Sequence, residues 1–310
     1  MMERLERMPV PVLPTFVGAL TLSNVYSGMG YTWVRHLTMW TAAIIWLLYV
    51  VKLVKYTKTC VGEYKNTIPC SLYAGFNMVL MLLGSYVYEF APAAGKMMVV
   101  VGVALHTYHI LMFTYRNVIK ERNINTFMPS WFVTYNGIMV SCVIGGALGI
   151  KGILTVVLYY GIFIYFALIP FMVWRLLTVE VKPQVYHTMA VVLAPCSLCV
   201  VSYLNVIENK NALLVYVLYA CVLVSLAFII FKLPKFFAFQ FNPGFAGLTF
   251  PMAIGIVASN KMAGFLTAQG KEAIAALVTQ VAGIQIYLTT FIIGYVLVNL
   301  AIMALKIERK

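Results

Sequence analysis

Residues 212–235 read ALLVYVLYACVLVSLAFIIFKLPK, an apolar run with no charge until Lys232 and Lys235 close it. A bilayer core about 30 Å thick takes roughly 20 helical residues to cross, so this stretch predicts a membrane span with a basic end. Working outward, comparable runs between charged breaks lie near 8–26, 32–54, 69–88, 97–117, 128–148, 152–175, 187–206, 212–232, 244–259 and 273–304. The sequence therefore predicts an all-α polytopic membrane protein of ten transmembrane helices. They pair into five helical hairpins at about 8–54, 69–117, 128–175, 187–232 and 244–304, within a single transmembrane domain spanning 1–310. The last run is long enough to tilt or to extend beyond the bilayer.

Composition agrees. Hydrophobic residues make up 63% of the chain and charged ones 10%, with a mean hydropathy of +0.92, an apolar share well above that of soluble domains. No stretch remains for a sizeable soluble domain. Residues 1–8 carry Glu3, Arg4, Glu6 and Arg7, and the apolar run behind them is interrupted by Pro9, Pro11 and Pro14, a poor secretory signal. Of the six cysteines, Cys196 and Cys199 have C-x-x-C spacing, but Pro195 and the apolar run around them favour packing over redox chemistry.

The links alternate in charge. Basic ends follow the even runs at Lys52, Lys55 and Lys58; Arg116, Lys120 and Arg122; Arg175 and Lys182; Lys232 and Lys235; and Lys306, Arg309 and Lys310. With Arg4, Arg7 and Lys65 that face collects 16 of the 22 Lys and Arg residues. The positive-inside rule then puts both termini in the cytoplasm, as an even number of spans requires, and the expected location is a cell membrane of the plasma or bacterial inner type. The odd runs share helix breakers instead: Pro14 with Gly18, Pro69 with Gly75, Pro129 with Gly137, Pro195, and Pro243 with Pro251. Among the even runs only Pro170 breaks the pattern. Backbone groups freed by Pro or Gly are tolerated where neighbouring helices or a water-filled cavity satisfy them, so five kinked helices can ring a central pathway. The competing reading is that membrane helices are simply rich in Gly and Pro.

The chain has no Asp, and its nine Glu residues fall at helix ends or in loops. Proton- and cation-coupled carriers commonly hold an ionisable group at mid-membrane, so this argues against such coupling. A net charge of +13 favours anions at the pore mouths, although a basic cytoplasmic face alone also contributes it. His106 and His109 share one helix face. Metal binding, proton relay and interhelical hydrogen bonding are the readings, and the lack of a neighbouring carboxylate favours the last. No nucleophile elbow, phosphate loop or zinc signature is present in a suitable context, so neither an enzyme nor a cofactor is expected, and no nucleic-acid partner.

Three segments carry a family resemblance. Residues 241–259, FNPGFAGLTFPMAIGIVAS, resemble the ninth helix of the tellurite-resistance/dicarboxylate transporter family, to which the plant slow-type anion channels belong. Residues 11–18, PVLPTFVG, look like that family's opening segment, and residues 128–137, MPSWFVTYNG, resemble the start of its fifth helix. The resemblance implies five hairpins in quasi-fivefold arrangement around a pore inside each protomer, a homotrimer in a lipid bilayer, and small anions as the permeant species. It also implies an aromatic gate on the ninth helix, which matches Phe250 best and Phe245 second. Without the resemblance, Phe250 is one of 19 Phe residues and reads as core packing. The ninth segment departs from dicarboxylate-transporting members in lacking Trp or Tyr after Asn242, which leaves substrate size open. No long charged tail of the kind phosphorylated in the plant channels is seen, so kinase regulation is not expected.

The favoured function is an anion channel or channel-like uniporter. Pro14, Gly18, Pro69, Gly75, Pro129, Phe132, Gly137, Pro195, Thr249 and Pro251 are expected at the pore lining or its kinks, and Thr15, Asn77, Asn136, Ser197 and Thr249 are candidate dipoles facing an anion. The alternative is a secondary transporter or exporter of dicarboxylate, sulfite or tellurite-type oxyanions. A non-transporting scaffold or receptor is the third reading, and it gives no reason for breakers in five odd runs.

Overall fold

The computed structural model describes residues 2–306, which are helical with no strand among them. After a short α1 (Met2–Glu6) come α2 (Val12–Gly28), α3 (Thr32–Lys55), α4 (Thr57–Tyr64), α5 (Thr67–Leu72), α6 (Ala74–Tyr88) and α7 (Pro92–Phe113). The π-helical turn Thr114–Glu121 extends α7. Next are α8 (Trp131–Tyr135) and α9 (Val140–Ile144), then α10 (Lys151–Thr178), α11 (Leu193–Val206), α12 (Ala212–Ala238), α13 (Ala246–Ala268) and α14 (Glu272–Lys306). Helical residues thus occupy all ten stretches read from the sequence. Seven of them are long and apolar enough to cross a membrane: 32–55, 67–88, 92–121, 151–178, 183–206, 212–238 and 272–305. The protein is a multi-pass, all-helical membrane protein.

Several boundaries differ from the sequence reading for identifiable reasons. The first long helix starts at Val12, not residue 8, because the prolines at 9 and 11 hold the chain in turns. The fifth stretch is no continuous helix. It runs as α8, a 3-10 turn at Gly137–Met139, α9, and a second 3-10 turn at Gly145–Ala147, since its glycines weaken α propagation. Pro195 has no N–H for the Val191 carbonyl, and the chain before α11 is accordingly 3-10 over Pro183–Val192. The ninth helix runs on to Ala268, nine residues past the expected end at 259. Asn260 and Lys261, just beyond that expected end, are exposed on it. Pro234 lies inside the longer α12, so Pro170 is not alone among the even helices.

Burial divides these helices into two sets. Across α5 and α6 the buried share of the apolar window is 78%, and across 183–206 it is 89%. α2 is buried continuously from Val12 to Ser23, and α13 nearly so from Ala246 to Ser259. In α3, α7, α10, α12 and α14 the buried share is only 22–33%, with large apolar side chains such as Trp40, Phe163, Phe231 and Tyr287 exposed. The contacts follow the same division. α2 packs on α6 and α13, α13 on α11, α11 on α9, and α9 on α6, a closed circuit of inner elements. Each of α3, α7, α10, α12 and α14 lies against two consecutive inner elements, for example α3 against α2 and α6, and α14 against α13 and α2.

Two glycines permit close approaches of α2 to its neighbours in the circuit. A Cβ at Gly18 would lie 2.7 Å from the Phe250 backbone nitrogen, and one at Gly75 3.0 Å from that of Pro14. Backbone occupies both places, so no side-chain rotation makes room.

Candidate functional site

Inside the circuit is a narrow cavity walled by residues from all five inner elements: Pro14; Leu72 and Met78; Phe132, Val133 and Gly137; Val191, Ala194 and Leu198; and Ala246, Gly247, Phe250 and Pro251. Its volume of ≈ 20 Å³, measured for the centre of a water-sized sphere, holds about one water molecule. The wall carries no charged and no polar side chain. Such a constriction resists a hydrated ion by bulk and by the cost of wetting apolar surface.

Pro14, Phe132, Gly137, Phe250 and Pro251 are therefore brought together at one wall. Gly18 and Gly75 stand just behind it, at the close approaches of α2 to α13 and to α6. Thr249 is buried with its hydroxyl 2.8 Å from the Ala246 carbonyl and 3.3 Å from that of Pro14, tying α13 to α2. Pro251 lacks the N–H that would bond the Gly247 carbonyl, and Gly247 is itself part of the wall. Pro195 is buried in α11 next to Ala194, and Pro129 is buried next to Met128. Pro69 lies further out, in the wall of a larger vestibule. Phe245 is also away from the cavity. It packs on the His187 ring with centroids 3.8 Å apart and touches Phe237, Phe241 and Tyr295, in an aromatic cluster that joins α13 to α12 and α14.

None of Thr15, Asn77, Asn136, Ser197 and Thr249 forms part of the cavity wall. The Thr15 hydroxyl donates to the Pro11 carbonyl at 2.9 Å, and Asn136 Nδ2 reaches outward to the Gly161 carbonyl of α10, also at 2.9 Å. His106 and His109 bond the fifth stretch. His106 Nε2 is 2.8 Å from the Thr134 carbonyl, and His109 lies between Thr134 Oγ1 at 3.3 Å and the Tyr64 hydroxyl at 2.9 Å. This is the interhelical bonding favoured from the sequence. Among the described residues no group of three or more His, Cys, Asp or Glu is placed to hold a metal, and all six cysteines are free.

On the side where the basic ends gather, a vestibule of ≈ 830 Å³ is lined by residues of α5, α10, the loop before α8 and the 3-10 turn before α11. Ile68 in its wall precedes Leu72 of the constriction by four residues within α5, about one helical turn, and Met128 lies four residues before Phe132 in the chain. Lys65, Lys182, Glu121 and Glu180 are exposed at its rim, and Arg175 is buried in its wall. On the opposite side Arg35 pairs with Glu89 at 2.5 Å, and this hydrogen-bonded guanidinium holds the Glu89 carboxyl below its ordinary value. Lys151 does the same for exposed Glu208.

Sequence reasoning missed the apolar wall supplied by the third and seventh stretches. A signal was present in the second case, since Val191, Ala194 and Leu198 are spaced three and four apart and fall on one helical face.

A family model described as voltage-dependent anion channel, SLAC1, matches residues 11–306. The chain belongs to this family. No curated protein matches it. The SLAC1 match includes all three segments that carried the resemblance, and membership implies an anion-transporting, channel-like function.

Proposed function

We propose that this protein conducts small anions through a pore inside each protomer, and that the Phe250 side chain on α13 keeps the pore shut. The observation that carries this reading is the apolar cavity of ≈ 20 Å³, to which all five inner elements contribute and in which Phe250 takes part. Ten membrane crossings arranged as five hairpins with quasi-fivefold order are supported by the closed circuit of inner contacts and by the outer helix lying over each junction. The exposed apolar belt on the outer helices suits lipid. Both termini on the cytoplasmic side of a plasma or bacterial inner membrane, and assembly as a homotrimer, complete the proposal; the first follows from the distribution of Lys and Arg, the second from family resemblance.

The test is anion flux in liposomes containing purified wild-type protein or Phe250→Ala. Truncation removes the ring but leaves the helix, and lowering the barrier by about 1.4 kcal/mol already gives a tenfold rise in current. The expected result is a large increase, with currents that reverse at the anion equilibrium potential. Unchanged current in well-folded Phe250→Ala protein refutes the gate. Slow, saturable exchange that needs substrate on both sides replaces the channel with a carrier of oxyanions.

A further inference from the structure

We infer that the Arg175 guanidinium is a binding station for planar oxyanions at the basic end of the pathway. The inference rests on the anion-pathway reading and adds to it a residue that tells planar oxyanions from halides. Arg175 occupies the last turn of α10, is 5% exposed, and forms part of the vestibule wall. A guanidinium carries five N–H donors and stays charged. Here Nη1 donates to the Val179 carbonyl at 3.1 Å, and Nη2 lies 4.0 Å from the Met128 sulfur, a weak acceptor. No carboxylate among the described residues forms an ion pair with it. Glu180 is exposed at the rim, and Glu121 is held by Arg116 at 3.0 Å.

A second buried cation among the described residues is treated differently. Lys52 is wholly buried, yet its ammonium lies 2.7 Å from Glu63 and 2.7 Å from the Met8 carbonyl. A buried charge is costly unless paired, and where the role is structural this fold supplies the pair. At Arg175 it leaves donors beside an open vestibule one helical turn from the constriction. An anion arriving there, drawn by Lys65 and Lys182, supplies the missing acceptor. The flat fork of a guanidinium matches two coplanar oxygens with two parallel hydrogen bonds, which a single halide ion does not reproduce.

Arg175→Lys keeps the charge and removes the fork. In the Phe250→Ala background, the loss of one charge-assisted hydrogen bond is expected to raise the half-saturating nitrate concentration about tenfold, with chloride changed less than about twofold. The nitrate-to-chloride permeability ratio falls accordingly. In detergent, sodium nitrate is expected to raise the melting temperature of wild-type protein above that in sodium chloride of equal ionic strength, and Arg175→Lys to lose this difference. An unchanged ratio and half-saturation in folded Arg175→Lys overturns the inference while leaving the channel standing. If that variant does not fold, equal melting temperatures of wild type in the two salts overturn it. Absence of any anion flux through Phe250→Ala refutes the pathway itself, and the two-salt melting comparison still decides whether Arg175 protein binds oxyanions.

Discussion

The inner and outer helices are built from similarly apolar sequence, yet they meet different surroundings. All five outer helices are among the seven long, strongly apolar ones, whereas only two of the inner stretches are. The inner set is much the more buried without being the more hydrophobic, unlike the order in a soluble protein. Against lipid tails there is no hydrophobic gain from burying a side chain in protein, so the interior is chosen by close packing of small residues and by internal polar bonds. Gly18, Gly75 and Thr249 illustrate the rule at the α2, α6 and α13 junctions.

The hardest test of this contrast is a methyl group. Gly18→Ala directs a Cβ into the backbone at Thr249 and Phe250, and the expected cost is about 3 kcal/mol, at the upper end for overpacking, or failure to fold. Gly283→Ala on outer α14, where a Cβ meets nothing within 4 Å, is expected to cost nothing and to stabilise by up to about 1 kcal/mol. Thermal unfolding of both variants in one detergent makes the comparison, and equal losses would erase the distinction between the two sets.

Lys52 sharpens it from the other side, as a buried cation on an outer helix. Glu63→Gln removes the only carboxylate paired with that charge among the described residues, leaving neutral acceptors such as the Met8 carbonyl, and is expected to cost about 3 kcal/mol. A double substitution with Lys52→Met is expected to recover part of the loss, read from melting temperatures. The smallest effect belongs to the exposed Arg35–Glu89 pair. Because Arg35 lowers the folded-state value of Glu89, its contribution is present above the ordinary carboxylate value of 4.5 and is lost as pH falls through the lowered one. Exposure keeps it under about 1 kcal/mol. Glu89→Gln is therefore expected to flatten the acid limb of a melting curve slightly and to leave neutral pH almost unaffected.

The long apolar runs between charged breaks made the all-helical, multi-pass character legible, because a bilayer demands such runs and charge collects at its surface. The division of the fifth stretch into short turns was not legible. Its glycines weaken the helix locally, but Gly137 also lies against His106 and Met78, contacts that come from distant parts of the chain. Phe250 was named through resemblance and stands in the cavity wall, while Phe245, five residues earlier, belongs to the aromatic cluster. Apolar periodicity does not separate them, since both are fully or nearly buried. Arg175 and Lys52 were read only as members of the basic face. Counting charges says which side of a membrane a residue lies on and nothing about whether its head group reaches water.

The junction of Gly18 with Thr249 and Phe250 also orders events during synthesis. The first inner helix acquires this neighbour only after some 230 further residues have been made, so α2 waits through four hairpins for its final contact. The hairpin that completes the ring is the one that carries Phe250. A chain interrupted before α13 lacks one side of the circuit, so the one-water cavity comes into being only when the last stretches have been made.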